Sequence, residues 1–193
     1  MSKIERNQSN KLRLEQYSTD LEMAYDMVSF IDSKSCIFGK NVADLGCGNG
    51  ILGITAAIFG AKKVDMYDID KRMTELTKKN VETLELDNVN TINKDIFDVD
   101  YKYDTAVSNP PFGFQSNFSI IAFIKKANKI ADNLFFIYKD NKNIRNLAQI
   151  NGMDVFELGN IKLQKSQYFH KKNSYTLPVI LIYRLKDERP NKF

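Results

Sequence analysis

The sequence has few of the residues that build metal centres and disulfide frameworks. Among 193 residues there are two cysteines and one histidine. Cys36 and Cys47 lack the C-x-x-C spacing of structural zinc sites and disulfide scaffolds. We therefore predict no bound metal. His170 has no visible partner in the sequence and is weak evidence for a catalytic base.

Long apolar runs are also missing. No stretch approaches the length of a membrane span, and the first residues lack the apolar core of a signal peptide, so we expect a cytoplasmic protein without membrane contact. With 43% hydrophobic and 27% charged residues, the length fits one globular domain over residues 1–193. Residues 1–14 are polar and basic and are expected to form a flexible arm. A net charge of +4 permits nucleic acid as a partner without requiring it.

Strand and helix patterns alternate along most of the chain. Helices are predicted over residues 20–31, 51–59, 71–86, 118–130 and 141–151, and strands over 39–45, 63–68, 89–94, 103–108, 134–138, 155–163 and 176–185. This alternation predicts an α/β fold, a Rossmann-like doubly wound and mostly parallel sheet with helices on both faces. Ligands of such sheets lie at the carboxyl ends of the strands, beside the topological switch point.

A glycine-rich loop, D-L-G-C-G-N-G, follows the first predicted strand. Gly46, Gly48 and Gly50 allow the backbone to turn tightly and to approach a ligand, with the next helix N-terminus aimed at it. Asp68 ends the second strand, where a carboxylate can accept from two ribose hydroxyls. These features predict a nucleoside-binding half-domain, and a glycine turn without a ligand is the alternative.

Two cofactors are compatible with this loop. Gly48, Gly50 and Gly53 satisfy the G-x-G-x-x-G dinucleotide fingerprint, so an NAD-dependent oxidoreductase is an alternative, although no Tyr-x-x-x-Lys motif or paired histidine supports it. Asp44, at the head of the loop, places an acidic group where a pyrophosphate would approach. S-adenosylmethionine (SAM) carries an ammonium group and no phosphate, so Asp44 favours SAM.

The third predicted strand ends at two further candidate residues. Asp95 could accept a hydrogen bond from an adenine amino group, and Ile96 could offer its backbone N–H. A helix or turn cap is the alternative role for Asp95.

The loop after the fourth predicted strand is stiffened by two consecutive prolines, in the tetrapeptide Asn109-Pro110-Pro111-Phe112. It presents the Asn109 side chain and nearby carbonyls as acceptors for a planar amino group, with Phe112 as a stacking face for an extruded base. These four residues are the candidate catalytic residues, and a rigid turn that caps the strand is the alternative.

Basic and aromatic residues alternate between the last two predicted strands. This pattern suits phosphates and stacked bases, and a solvated hairpin tip is the alternative. The candidate nucleic-acid contacts are Lys165, Phe169, His170, Lys171 and Lys172.

Five short segments resemble, in this order, the methyltransferase-like 5 family of class I SAM-dependent methyltransferases. They are Leu14-Glu15-Gln16-Tyr17, Asp44-Leu45-Gly46-Cys47-Gly48, Asp68-Ile69-Asp70, Asn109-Pro110-Pro111-Phe112-Gly113 and Phe169-His170-Lys171-Lys172. The family, of eukaryotes and archaea, methylates adenine N6 of small-subunit ribosomal RNA, and we expect an archaeal member. The resemblance covers residues 14–185 and implies a seven-stranded sheet of order 3-2-1-4-5-7-6, with an antiparallel last hairpin.

The resemblance also implies roles for individual residues. The implied SAM contacts are Gln16, Tyr17 and Thr19 over the methionine portion, Gly46 and Gly48 close to it, Asp68 at the ribose, and Asp95 and Ile96 at the adenine. Asp44 and Asn109 are also predicted to bind the cofactor. Residues 109–112 would hold the target base, and residues 169–172 would contact RNA. In eukaryotes the family works with a small zinc-binding activator protein, for which the strand over 89–94 is the expected edge for strand addition.

The sequence departs from the family pattern at two places. Ser18-Thr19-Asp20 replaces the usual Pro-Thr-Arg, and residues 114–118 lack the usual acidic residue beside the target loop. Other substrates therefore stay open: a protein glutamine, a guanine N2 or a DNA adenine. A SAM-binding RNA chaperone without methyl transfer is the alternative that is not an enzyme.

Overall fold

The computed structural model describes residues 21–110, 117–164 and 174–186. The helices are α1 (Leu21–Ser33), α2 (Ile51–Ile58), α3 (Lys71–Thr83), α4 (Asn117–Ile130) and α5 (Lys142–Ile150). The strands are β1 (Asn41–Leu45), β2 (Lys63–Asp68), β3 (Val89–Asn93), β4 (Tyr103–Ser108), β5 (Ala131–Lys139), β6 (Asp154–Gln164) and β7 (Ser174–Arg184). A short 3₁₀ turn, η1 (Ile96–Asp98), follows β3.

The strands form one sheet of order β3-β2-β1-β4-β5-β7-β6, which confirms the predicted topology. The pairs from β3 to β5 are parallel, whereas β7 runs antiparallel to both β5 and β6. The chain order reverses between β1 and β4, so the topological switch point lies between these strands. Ligands of doubly wound sheets bind at this point, beside the carboxyl ends of the strands.

Some element boundaries differ from the sequence prediction. Helix α3 ends at Thr83 instead of residue 86, because Glu85 has a left-handed φ of 54° that a helix cannot continue through. Strand β5 begins three residues earlier than predicted and ends one later. Its ends pair with neighbouring strands, Ala131 with Tyr103 and Lys139 with Val179, and pairing on both sides extends it.

Two apolar cores cover the two faces of the sheet. One packs α1 and α2 against the sheet around Met27, Ile54 and Phe135. The other packs α4 and α5 on the opposite face around Ile124 and Phe136. No helix within the described ranges is long and apolar enough to cross a membrane.

A buried polar cluster joins β2 to β4 across β1. Tyr103 donates its hydroxyl to Asp65 at 2.8 Å and lies within hydrogen-bond distance of the Tyr67 hydroxyl. Asn90 donates to the other oxygen of Asp65 at 2.7 Å. Ala43 of β1 pairs with Asp65, and its small side chain leaves room for the tyrosine to reach across. The cluster therefore fixes the relative positions of strands that carry the candidate site.

Candidate functional site

The glycine loop after β1 is held against the end of β2. Gly46, Gly48 and Gly50 have φ of 75°, 57° and 81°, a left-handed conformation that side chains disfavour. The N–H groups of Gly46 and Cys47 both donate to the carbonyl of Tyr67 at 2.8 Å. The glycines therefore allow a turn that folds back onto the neighbouring strand.

The glycines of this region serve two different purposes. A Cβ at Gly46 or Gly48 would meet no atom within 4 Å, so these two residues border open space. A Cβ at Gly53, in the first turn of α2, would come within 2.4 Å of the sulfur of Met66. Gly46 and Gly48 thus leave room for a ligand near the backbone, whereas Gly53 allows helix and sheet to pack closely.

Asp68, at the end of β2, supports the loop with its carboxylate. Its Oδ2 accepts the N–H of Gly48 at 2.9 Å, and its Oδ1 accepts the N–H of Asp70 at 2.8 Å. The residue is 6% exposed, and this burial raises its pKa although the backbone N–H groups counteract the rise. Each carboxylate oxygen can accept a second hydrogen bond, so two ribose hydroxyls can still be accommodated.

Asp44 caps the N-terminus of α2 from the neighbouring strand. The N-cap residue, Gly50, has no side chain, and Asp44 Oδ2 instead accepts the N–H of Gly53 at 2.9 Å. Burial raises the pKa of Asp44 to about 7, the Gly53 N–H lowers it, and the charge of Asp68 raises it further. A carboxyl group thus occupies the positive helix end that binds pyrophosphate in dinucleotide folds, which favours a cationic ligand.

Two residues of α3 that the sequence analysis did not predict hydrogen-bond to carbonyl groups of the glycine loop. Thr77 donates its hydroxyl to the carbonyl of Gly48 at 2.7 Å, and Asn80 donates to the carbonyl of Asn49 at 3.0 Å. A Cβ at Gly50 would lie 2.5 Å from the Thr77 methyl group. The available sequence signal was the helical spacing of two polar residues within the apolar face of α3.

Asp95 and Ile96 lie beside the end of β2, as predicted for residues at the same sheet edge. Lys94 donates its N–H to the carbonyl of Asp68 at 3.1 Å, which joins the two loops. Asp95 Oδ1 accepts the N–H of Phe97 at 2.9 Å and caps η1, in agreement with the alternative role given to it above. Ile96 is half-buried against the core beneath α4. A contact of these two residues with adenine stays a prediction.

Asn109 begins the loop after β4, next to the glycine loop. The preceding residue, Ser108, is buried and donates its hydroxyl to the carbonyl of Leu45, the residue before Gly46. Asn109 is half-buried and Pro110 is buried. The switch point therefore places the first half of the predicted catalytic tetrapeptide beside the start of the glycine loop.

The structure brings six predicted site residues to one edge of the sheet. These are Asp44, Gly46, Gly48, Asp68, Asp95 and Asn109, joined by the contacts above. Other predicted site residues lie outside the described residues, and their roles stay predictions. They are Gln16, Tyr17, Thr19, Pro111, Phe112, Lys165, Phe169, His170, Lys171 and Lys172.

Comparison with known protein families identifies the kind of enzyme. The model of the methyltransferase small domain matches residues 26–147, which include the glycine loop, Asp68, Asp95 and Asn109. The chain belongs to this methyltransferase family. The prediction of a SAM-dependent methyltransferase is confirmed at this level, and the oxidoreductase alternative is not supported.

Individual relatives are similar over most of the chain. The rRNA N(6)-adenosine-methyltransferase METTL5 of Danio rerio is 33% identical over 89% of this chain and 88% of its own length. The protein MJ0284 of Methanocaldococcus jannaschii is 29% identical over 96% of this chain and 90% of its own. PH1948 of Pyrococcus horikoshii, a candidate RNA methyltransferase, superposes with a TM-score of 0.81 at 26% identity and covers 96% of this chain and 94% of its own. Both archaeal and eukaryotic proteins are thus similar, and archaeal origin stays a prediction.

Proposed function

We propose that this chain transfers a methyl group from SAM to N6 of an adenine in small-subunit ribosomal RNA. The observation that carries the proposal is the position of Asn109 and Pro110, at the switch point and beside the glycine loop. Relatives such as METTL5 of Danio rerio, which match over most of their length, bear the name of this activity. We also propose a cytoplasmic localisation for the protein, which a ribosomal RNA substrate supports.

The residues of the site fit SAM. SAM, when bound, supplies a methyl group on a positively charged sulfonium. Gly46 and Gly48 leave open space beside the backbone, and Asp68 has acceptor capacity for ribose hydroxyls. The carboxyl groups of Asp44 and Asp68 give this edge a negative field that attracts a cation. We assign Gln16, Tyr17 and Thr19 to closure over the methionine portion, and Asp95 with Ile96 to the adenine.

Positioning and electrostatics account for the catalysis. The Asn109 side chain and the Pro110 carbonyl accept hydrogen bonds from the target amino group and localise the nitrogen lone pair, while Phe112 stacks on the base. The nitrogen gains the methyl group as the carbon–sulfur bond of SAM breaks and S-adenosylhomocysteine leaves. The methylated nitrogen is acidic, so its proton passes to solvent water without a strong general base. Lys165 and residues 169–172 contact the RNA backbone and bases.

The transfer assay tests the reaction and the substrate class together. The full chain is incubated with radiolabelled SAM and unmodified small-subunit ribosomal RNA, and the product nucleosides are separated. If the proposal is correct, the wild-type chain forms labelled N6-methyladenosine and the Asn109→Ala variant does not. Label on a guanine, on DNA or on a protein glutamine would replace the proposal with the corresponding alternative. Binding of RNA and SAM without transfer would support the chaperone alternative.

We also propose that a small zinc-binding activator protein adds a strand to β3. This strand lies at the end of the sheet, and none of its five residues is fully buried. Three large apolar side chains in the loops after β2 and β3 are exposed, namely Ile69 at 69%, Phe97 at 49% and Tyr101 at 70%. An open strand edge beside exposed apolar groups is suited to strand addition.

The activator proposal is tested with the same transfer assay. We expect an added activator to increase transfer or the thermal stability of the chain, and Phe97→Asp with Tyr101→Asp to abolish that increase. Phe38→Asp, which changes an apolar side chain that is 74% exposed in the loop before β1, serves as the control. Full activity and stability of the isolated chain, without association, would overturn this part of the proposal.

A further inference from the structure

A groove runs along the outer surface between α4 and α5. It has a volume of about 260 Å³ and is lined by Ile121 of α4 and by residues of α5 and its end: Asn143, Asn146, Leu147, Ile150 and Asn151. Ile150 is 84% exposed, so the groove combines apolar side chains with a row of amide groups. The candidate site described above uses none of these residues.

The two helices that form the groove carry positive charge only. Residues 117–130 and 142–150 contain five basic residues, Lys125, Lys126, Lys129, Lys142 and Arg145, and no aspartate or glutamate. Arg145 is held by Asp140 and Glu157, but the four lysines form no salt bridge within the described part of the chain. Helix α1, in contrast, has three acidic residues and no basic one. The groove is therefore complementary to a polyanion.

Helical spacing places two of these lysines at the groove. Lys125 follows Ile121 by four residues on α4, and Lys142 precedes Asn146 by four residues on α5, so each lies one helical turn from a residue that lines the groove. Both lysines are exposed. Cations on both sides of a row of amides and apolar groups match the phosphates, sugars and base edges of a nucleic acid strand.

The groove begins at the edge of the sheet that carries the target loop. Strand β5 pairs in parallel with β4, with Ser108 opposite Phe136, so both strands end at the same edge of the sheet. Asn109 follows β4, and α5 begins just after β5 with Asn141 as its N-cap. Neighbouring strands are about 4.8 Å apart, so the end of the groove at the start of α5 lies at the same edge of the sheet as the loop of Asn109.

We propose that the groove between α4 and α5 binds the RNA strand that flanks the target nucleotide. This inference rests on the proposed function for its substrate and adds a second contact surface to it. Lys125 and Lys142 contact phosphates, while Asn143 and Asn146 hydrogen-bond to sugars or base edges. The surface would secure the RNA while the target base is extruded.

The test uses the full chain and an in vitro transcript of small-subunit ribosomal RNA. RNA dissociation constants of wild type and Lys125→Glu/Lys142→Glu are measured at several salt concentrations, and SAM affinity is measured by calorimetry. Loss of two phosphate contacts should raise the RNA dissociation constant and KM about tenfold and reduce the salt slope by roughly two, with SAM affinity unchanged. The matched control is Lys62→Glu/Lys79→Glu, which reverses two exposed lysines outside α4 and α5, one just before β2 and one on α3, that form no salt bridge among the described residues. Asn143→Ala/Asn146→Ala should raise KM several-fold.

The outcomes separate this inference from the proposed function. Unchanged RNA affinity in the groove variants, an equal loss in the control, or no RNA binding by wild type would overturn the inference. Displacement of the RNA by polyglutamate through the same lysines would also overturn it in favour of an acidic protein surface. If RNA binding depends on the groove but no N6-methyladenosine is formed, the inference about the groove stands and the proposed function is overturned.

Discussion

The Asp68 carboxylate accepts the backbone N–H of Gly48 at 2.9 Å, and this contact joins the end of β2 to the glycine loop after β1. This direct contact fixes Asp68, which is predicted to bind ribose, relative to Gly48, which is predicted to approach the methionine portion of SAM. Thr77 holds the same residue through its other backbone group, because its hydroxyl donates to the Gly48 carbonyl. Gly48 is thus fixed at both its N–H and its C=O.

Thr77→Val should weaken SAM binding, although Thr77 is not itself a predicted SAM contact. Valine has nearly the same shape but cannot donate to the Gly48 carbonyl, so we expect the KM for SAM to rise several-fold and the fold to lose about 1 kcal/mol. Thr77→Ser retains the hydroxyl and should restore the KM. Steady-state kinetics and thermal denaturation measure the two effects, and an equal KM for the valine and serine variants would contradict the positioning role.

Alanine at Gly48 and at Gly53 should produce opposite phenotypes. A Cβ at Gly48 points into open space, so Gly48→Ala should abolish detectable SAM binding at a stability cost of about 1 kcal/mol from its left-handed φ. Gly53→Ala overlaps Met66 in the core and should cost about 1–3 kcal/mol while the folded fraction still binds SAM. Calorimetric SAM titration and urea unfolding separate the two. Retained SAM affinity in Gly48→Ala would exclude the predicted close approach.

SAM affinity should depend on pH through Asp44. Burial raises the pKa of Asp44 in the folded state to about 7, from 3.8. Asp44 therefore stabilises the folded state to its full extent below pH 4, and this stabilisation is lost as the pH rises through 7. A cationic ligand favours the ionised carboxylate. SAM binding should therefore strengthen as the pH rises from 6 to 8 and should release a proton near pH 7.

The matched variant for this pH effect is Asp44→Asn. The amide oxygen can still accept the Gly53 N–H, so the helix cap is retained while the charge is removed. We expect weaker SAM binding at pH 8, no proton release from this site, and higher stability of the free protein at pH 8. Calorimetry in buffers of different ionisation enthalpy measures the released proton. A pH profile shared by wild type and variant would assign the dependence to another group.

Asn109→Ala should separate chemistry from cofactor binding. Removal of the amide acceptor at the target nitrogen should lower kcat by roughly 10²–10³, a typical loss for a preorganised polar group in an active site. SAM affinity should stay within a few-fold of wild type. Asn160→Ala, an exposed asparagine on β6, is the control and should be neutral. Comparable turnover in Asn109→Ala would refute its catalytic assignment.

Much of the site was readable from sequence because its signals are local. The three alternating glycines require a turn at one place, and a strand pattern before each of Asp68, Asp95 and Asn109 puts these residues at strand ends. Thr77 and Asn80 carried only the helical spacing of two polar residues, which does not identify their hydrogen-bond partners. They lie within a helix whose other residues pack or face solvent, and their partners are carbonyls about thirty positions away.

The sequence by itself determined the alternation of strands and helices, since apolar periodicity, glycines and prolines act over a few residues. Through the family resemblance it also indicated the strand order. Only the tertiary structure decided what the carboxylates do. Asp44 caps a helix and Asp68 holds the glycine loop, and both are buried, which raises their pKa values. Burial and electrostatics depend on neighbours brought together from separate strands, so no local pattern can specify them.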